Sequence, residues 1–210
     1  KKECNAFIAI SKATKTDMIE VLKIPEEKIK VIYLAAGKDY TNYDGKKKYQ
    51  NKKPYILTVG TIEPRKNLNR LAAAFDLLNL KDYDMVIAGK AGWGDQIKGL
   101  GYVPQEDMPA LYAGASLFVY PSLYEGFGVP ILEAMSVGCP VATSNVSSMP
   151  EVGGEAAVYF DPMSVEDIAE KMKWALENTK SLKLKSLIQA KKFSWEKTAR
   201  ETLKVYQGLI

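Results

Sequence analysis

Residues 117–138 constrain the chain most. Leu117-Phe118-Val119-Tyr120 is an uninterrupted apolar run, the pattern of a strand buried on both faces. A glycine-spaced turn, Glu125-Gly126-Phe127-Gly128, follows it. A helix then opens with Pro130 in its first turn, where a missing N–H costs nothing. It stops at Gly138, and Cys139-Pro140 prevents its continuation. Strand, glycine-rich turn and helix together aim free backbone N–H groups at an anion. Glu125 and Glu133 flank that anion site. N–H groups for phosphate beside carboxylates for hydroxyls suit a sugar nucleotide.

The rest of the chain repeats the strand–helix alternation. Residues 6–10 read as a short buried strand, 11–22 as a helix with Met18, Ile19 and Leu22 on one face, and 28–34 as a second strand. Residues 38–53 are polar and lysine-rich, and read as a linker whose Lys46-Lys47-Lys48 run is a solvated loop. Residues 55–60 form a strand ending in glycine, with Asn67 as N-cap of a helix carrying Leu68, Leu71, Ala72, Phe75 and Leu78. Strands are expected at 84–89, 98–103, 141–143 and 156–160, and helices near 108–115, at 165–177 and over 182–210 with a break at Phe193-Ser194-Trp195. Repeated βα units predict an α/β fold, a doubly wound parallel sheet flanked by helices. One crossover does not fit. Residues 90–97 are too few, and too rich in glycine, for the helix that a parallel connection needs. Residues are therefore expected to be absent between Gly94 and Lys98.

Composition excludes several classes. With 29 basic and 25 acidic residues the net charge is +4 and the lysines are scattered, which argues against nucleic acid as a partner. Cys4 and Cys139 do not make a disulfide framework, so a reduced cytoplasmic setting is expected. There is no histidine, hence no histidine base and no histidine metal site in this chain. No apolar run approaches a membrane span, and the start at Lys1-Lys2-Glu3-Cys4 shows neither a signal-peptide pattern nor an initiator Met. The chain reads as a fragment.

Five motifs, in order, resemble the family 4 retaining glycosyltransferases, in the C-terminal donor-binding domain of the GT-B fold. They are Val59-Gly60-Thr61-Ile62-Glu63-Pro64-Arg65-Lys66-Asn67, Val86-Ile87-Ala88-Gly89-Lys90, Leu100-Gly101-Tyr102-Val103-Pro104, the Glu-x7-Glu stretch from Glu125 to Glu133 with Ala134-Met135, and Cys139-Pro140-Val141-Ala142-Thr143-Ser144 with Pro150-Glu151-Val152. The resemblance implies that residues 1–37 are the end of an N-terminal acceptor-side domain and 38–53 a linker. Residues 54–193 would be the Rossmann-like nucleotide-sugar domain, and 194–210 the helix that crosses back. Leu203, Tyr206 and Leu209 on that helix pack either on the missing domain or within this one.

The resemblance also implies roles. Lys66 neutralises the leaving diphosphate, with Arg65 beside it. Thr61 stands where many members carry a phosphate-binding arginine. Glu133 accepts from ribose hydroxyls and Glu125 contacts the transferred sugar. Phe127, Gly128 and Val129 offer backbone N–H groups, and Gly126 and Gly128 keep side chains out of the way. Tyr102 and Val103 meet the base, and Gly60, Gly89 and Lys90 line the site. No metal or cofactor is needed where a lysine and a helix end carry the charge. The implied reaction moves a hexose, mannose or glucose, from a GDP-, UDP- or ADP-linked donor to a saccharide or lipid-linked acceptor. The whole enzyme would sit at the inner face of the membrane. A non-catalytic nucleotide-sugar-binding module, or a related epimerase or phosphorylase, stays open as an alternative. A dinucleotide-dependent dehydrogenase is disfavoured because the turn after Val59 lacks Gly-x-Gly-x-x-Gly.

Overall fold

The computed structural model describes residues 4–47, 49–61, 63–89 and 99–209. A two-stranded parallel sheet comes first: β1 (Phe7–Ala9) pairs with β2 (Ile29–Val31), Phe7 opposite Ile29. Between them lies α1 (Lys12–Glu20), whose N-cap Ser11 accepts a hydrogen bond from the Thr14 N–H. The main sheet has five parallel strands, β3 (Tyr55–Val59), β4 (Asp84–Ala88), β5 (Leu117–Tyr120), β6 (Val141–Ser144) and β7 (Ala157–Phe160), in the order β4-β3-β5-β6-β7. The expected α/β doubly wound architecture is present.

Its helices lie on both faces, because the strand side chains alternate between two cores. Leu57, Val86, Phe118, Tyr120 and Val141 point to one side, into a cluster with α4 (Met108–Gly114), α5 (Val129–Ser136) and α6 (Met149–Gly153). Ile56, Ile87, Leu117, Val119 and Ala142 point to the other, against α3 (Leu68–Leu78) and α7 (Val165–Glu177). That two-sided burial is why β5 reads as a continuous apolar run. The expected 165–177 helix coincides with α7, and Ser164 caps it by accepting from the Asp167 N–H. The C-terminal helical region divides into α8 (Thr179–Ala190) and α9 (Trp195–Gln207), with Ser194 capping the second.

Three expectations need correction or addition. The 98–103 strand does not form over the described residues: Gly101 makes one isolated bridge to Gly89, and Tyr102 is exposed. Asn67 does not cap α3 with its side chain. It adopts a left-handed φ of 57°, and its amide donates to the carbonyls of Pro121 and Pro162, at 3.1 and 2.7 Å. Residues 38–53 carry a short helix, α2 (Lys38–Thr41), whose Tyr40 is buried edge-on against Tyr112. The expected gap between Gly94 and Lys98 lies outside the described residues.

Residues 4–37 are bound to the larger unit through Glu151 on α6. Its carboxylate accepts from the Lys12 and Ala13 N–H groups, both at 2.8 Å, and from the Tyr33 hydroxyl at 3.0 Å. A carboxylate across the first turn of α1 satisfies orphan amides and meets the positive end of the helix dipole. Thr14 Oγ1 then donates to the Gly126 carbonyl at 3.0 Å, and the Tyr124 hydroxyl donates to Asp17. Tyr33, Phe127 and Phe193 form one aromatic cluster, with centroids 5.8–6.1 Å apart. The glycine-rich turn is thus held from both ends of the chain.

Candidate functional site

The chain leaves β3 towards β4 on one side, while β5 lies on the other side of β3. This reversal makes a crevice at the C-terminal ends of β3 and β5, the place where open α/β sheets bind ligands. The residues that follow those two strands are Gly60 to Asn67 and Pro121 to Gly128. They converge here because the Leu123 N–H donates to the Arg65 carbonyl at 2.9 Å, and Asn67 grips Pro121.

A charge cluster forms at this junction. Lys66 Nζ lies 2.6 Å from Glu125 Oε1, and Arg65 NH1 lies 2.8 Å from the same oxygen. Arg65 also donates to the Tyr124 carbonyl at 2.8 Å and pairs with Glu63 at 2.6 Å. Lys66 donates to the Tyr120 hydroxyl at 2.7 Å. The Lys66 and Glu125 side chains are each 13% exposed, while Arg65 is 42% exposed. Burial pushes the Glu125 carboxyl up, but the hydrogen bond and charge of Lys66 outweigh it and hold the group below 4.5. Glu125 is therefore an anion at neutral pH. Its backbone is fixed as well: the Ser147 and Ser148 hydroxyls both donate to its carbonyl, at 2.6 and 2.8 Å.

The turn that follows presents amides. Gly128 has φ 94°, a conformation that L side chains rarely adopt, and it starts α5. Phe127 puts its ring into the core and is 3% exposed. Among the described residues the N–H groups of Phe127, Gly128 and Val129 have no acceptor. Free amides at the head of a helix are the groups that can receive an anion. Gly126 differs from Gly128: among the described residues an added Cβ would meet only Ile10 and Thr14, at 3.4 and 3.9 Å, so no described neighbour requires glycine there. Across the crevice Gly89, at φ 155°, packs so tightly that a Cβ would lie 1.9 Å from the Gly60 oxygen. Gly60 in turn lies against the Lys66 side chain. Thr61 is exposed, as is Tyr102, while Val103 packs against the core. Lys90 lies outside the described residues.

Glu133 occupies a different environment on α5. The fully buried Tyr112 donates to its Oε2 at 3.0 Å, and the Tyr40 phenol faces the same carboxyl while accepting from Gln105 at 2.9 Å. Burial raises the Glu133 pKa above 4.5, and the two tyrosine hydroxyls only partly offset it. One carboxylate is thus stabilised by cations and the other by phenols. Tyr120, Tyr112 and Tyr40 are contributors that the sequence reading missed. The first two look like core residues in strand and helix, and the third lies in the supposed linker. Glu151, part of the Pro-Glu-Val motif, holds the N-terminal segment and is remote from the charge cluster in role.

Residues 39–193 match the family model described as "Glycosyl transferases group 1". The chain belongs to that family. It is similar to the O-antigen chain mannosyltransferase B of Escherichia coli, 38% identical over 230 residues, covering 97% of this chain and 60% of that protein. The chain thus spans about 60% of the length of that relative. Among solved structures, a glycosyltransferase from Rickettsia africae ESF-5 superposes with a TM-score of 0.85 at 19% identity, over 98% of this chain and 64% of that one. Anabaena HepE, solved in complex with UDP, superposes with a TM-score of 0.82 at 19% identity, over 97% of this chain and 64% of that one. These superpositions support the Rossmann-like half of a GT-B glycosyltransferase as the fold.

Proposed function

We propose that this chain is the donor-binding half of a retaining glycosyltransferase that moves a mannosyl residue from a nucleoside diphosphate sugar to a saccharide or lipid-linked acceptor. The observation that carries the reading is the junction of Lys66 with Glu125 beside the unpaired amides of Phe127 to Val129. Within the chain one carboxylate answers two cations. A diphosphate brings negative charge that competes for Lys66 and seats on the amides. Glu125 is then free to accept from hydroxyls of the sugar. Glu133, held by Tyr112, accepts from the ribose, and Tyr102 and Val103 border the base. Gly60, Thr61 and Gly89 complete the wall.

Transfer breaks the bond between the anomeric carbon and the diphosphate oxygen, and charge gathers on the departing diphosphate. Lys66 and the amides are already oriented to receive that charge, which is where electrostatic preorganisation acts. The acceptor is bound by a part of the enzyme outside this chain, so the chain alone binds donor and does not turn over. The mannosyl preference is supported by the name of the Escherichia coli relative. The donor base is read by a panel of GDP-, UDP- and ADP-sugars. A rise in melting temperature with a single base identifies the donor. Stabilisation by none of the three refutes the reading.

A further inference from the structure

The hydrogen bonds that hold Glu133 extend one residue beyond the two phenols. Tyr112 donates to its Oε2 at 3.0 Å, and the Tyr40 phenol faces the same carboxyl from α2. The side-chain amide of Gln105 donates to the Tyr40 oxygen at 2.9 Å. The direction of this last bond follows from proton supply. A phenol has one proton, and an ionised carboxylate can only accept. With the phenol proton given to Glu133, the phenol oxygen is met by the NH2 side of the Gln105 amide. A phenol that accepts while it donates is polarised, and its bond to the carboxylate strengthens.

The Gln105 contact is not what keeps the Tyr40 ring in place. Tyr40 is 2% exposed and packs edge-on against Tyr112, with 5.9 Å between centroids. Gln105 is exposed, and ordering an exposed amide side chain costs entropy. Its place in the chain gives the contact a use. Gln105 lies two residues after Val103. Its carbonyl accepts from the Met108 N–H at 3.3 Å, at the head of α4, the helix that carries Tyr112. Lys47 pairs with Asp107 at the same helix head, so residues 38–53 meet this corner at two points. Among the described residues no cation is ion-paired with Glu133, so the phenols are its hydrogen-bonding support. We propose that Gln105 is a positioning residue for nucleotide binding: through Tyr40 it orients the Glu133 carboxylate towards the ribose and ties that grip to the segment bordering the base. The inference rests on the ribose role proposed for Glu133.

The test compares the parent with Tyr40→Phe, Gln105→Leu and Gln105→Glu. Affinities are measured for GDP, UDP and ADP and for their 2′,3′-dideoxy forms. The ratio of the two affinities cancels effects on the rest of the nucleotide. Tyr40→Phe removes the phenol, and Gln105→Glu supplies a second acceptor that draws its proton from Glu133. Both should lower the ratio roughly fivefold, the scale of one hydrogen bond. Gln105→Leu removes only the polarisation and should lower it about twofold, with the melting temperature unchanged because the side chain is exposed. In the ligand-free proteins, a carbon-13 NMR titration of the Glu133 carboxyl should move to higher pH in all three variants, since a donor to the ionised form is weakened or lost. A parent-like ratio in both Gln105 variants, even with weaker binding of both nucleotide forms, overturns the proposal, as does a parent-like carboxyl titration. A parent that binds both nucleotide forms alike, while the carboxyl titration still shifts between variants, overturns the ribose role of Glu133 and the proposal with it.

Discussion

The Lys66 ammonium lies 2.6 Å from the Glu125 carboxylate, and that one oxygen also receives Arg65 at 2.8 Å. Glu63 pairs with Arg65 at 2.6 Å, so two carboxylates balance the two cations, and the proposed diphosphate takes Lys66 by competing with Glu125. Lys66→Met should weaken nucleotide-sugar binding at least tenfold, the scale of a lost charge-assisted contact. Calorimetric titration at low and moderate salt measures it. Affinity equal to the parent would remove Lys66 from the account.

Tyr112 is a second lever on affinity, acting through Glu133. Tyr112→Phe deletes the donor at 3.0 Å from Oε2 and leaves the ring packing against Phe118 in place. A net loss of about 1 kcal/mol is expected, roughly fivefold in affinity, for a nucleotide with an intact ribose. A 2′,3′-dideoxy nucleotide should bind both proteins alike. An equal loss for both ligands would mean that Tyr112 supports the fold and not the ribose contact.

The two carboxylates should separate with pH. Glu133, raised above 4.5, takes up its proton first as pH falls and then no longer accepts fully from hydroxyls. Affinity should therefore drop on acidification while pH is still above 4.5. Stability moves oppositely: the folded state holds that proton more tightly, so this group favours folding at low pH and the gain is lost as pH rises through its folded value. Glu125, held below 4.5, stabilises above that value and loses its contribution as pH falls through its lowered one. Titrating nucleotide affinity and melting temperature on one protein resolves the two.

Glu151→Ala should lower stability by about 2–4 kcal/mol, because two α1 amides and the Tyr33 hydroxyl lose a charged acceptor. Tyr33 supplies a spectroscopic check. Its pKa is pushed up to about 12 by burial and then by Glu151, so the variant's phenol should titrate lower. An unchanged phenol titration with unchanged melting would show that the clamp carries no energy.

The order of elements and the strand–turn–helix around Gly128 were legible because both rest on local pattern. Two-sided burial makes β5 uniformly apolar, and Gly128 needs its left-handed φ. What escaped depends on distant partners. Asn67 looks like an N-cap, yet its amide goes to carbonyls 54 and 95 residues away in sequence. Tyr40 looks like linker until the fold places it on Tyr112 and Glu133. Leu100 and Gly101 are held by the Ile87 carbonyl and by Gly89, which is too little ladder to make a strand. No spacing rule distinguishes Glu125 from Glu133. Lysine and arginine on one, phenols on the other, come from three separate segments.

The central claim is a donor nucleotide seated across Glu125 and Glu133, and a melting experiment tests it most directly. The parent, Glu133→Ala and Glu170→Ala are melted with and without GDP-mannose and UDP-glucose; Glu170 is exposed and lies on α7, outside the site. The account predicts that one of these donors raises the melting temperature of the parent and of Glu170→Ala, and leaves Glu133→Ala unmoved. An equal rise in Glu133→Ala would contradict it.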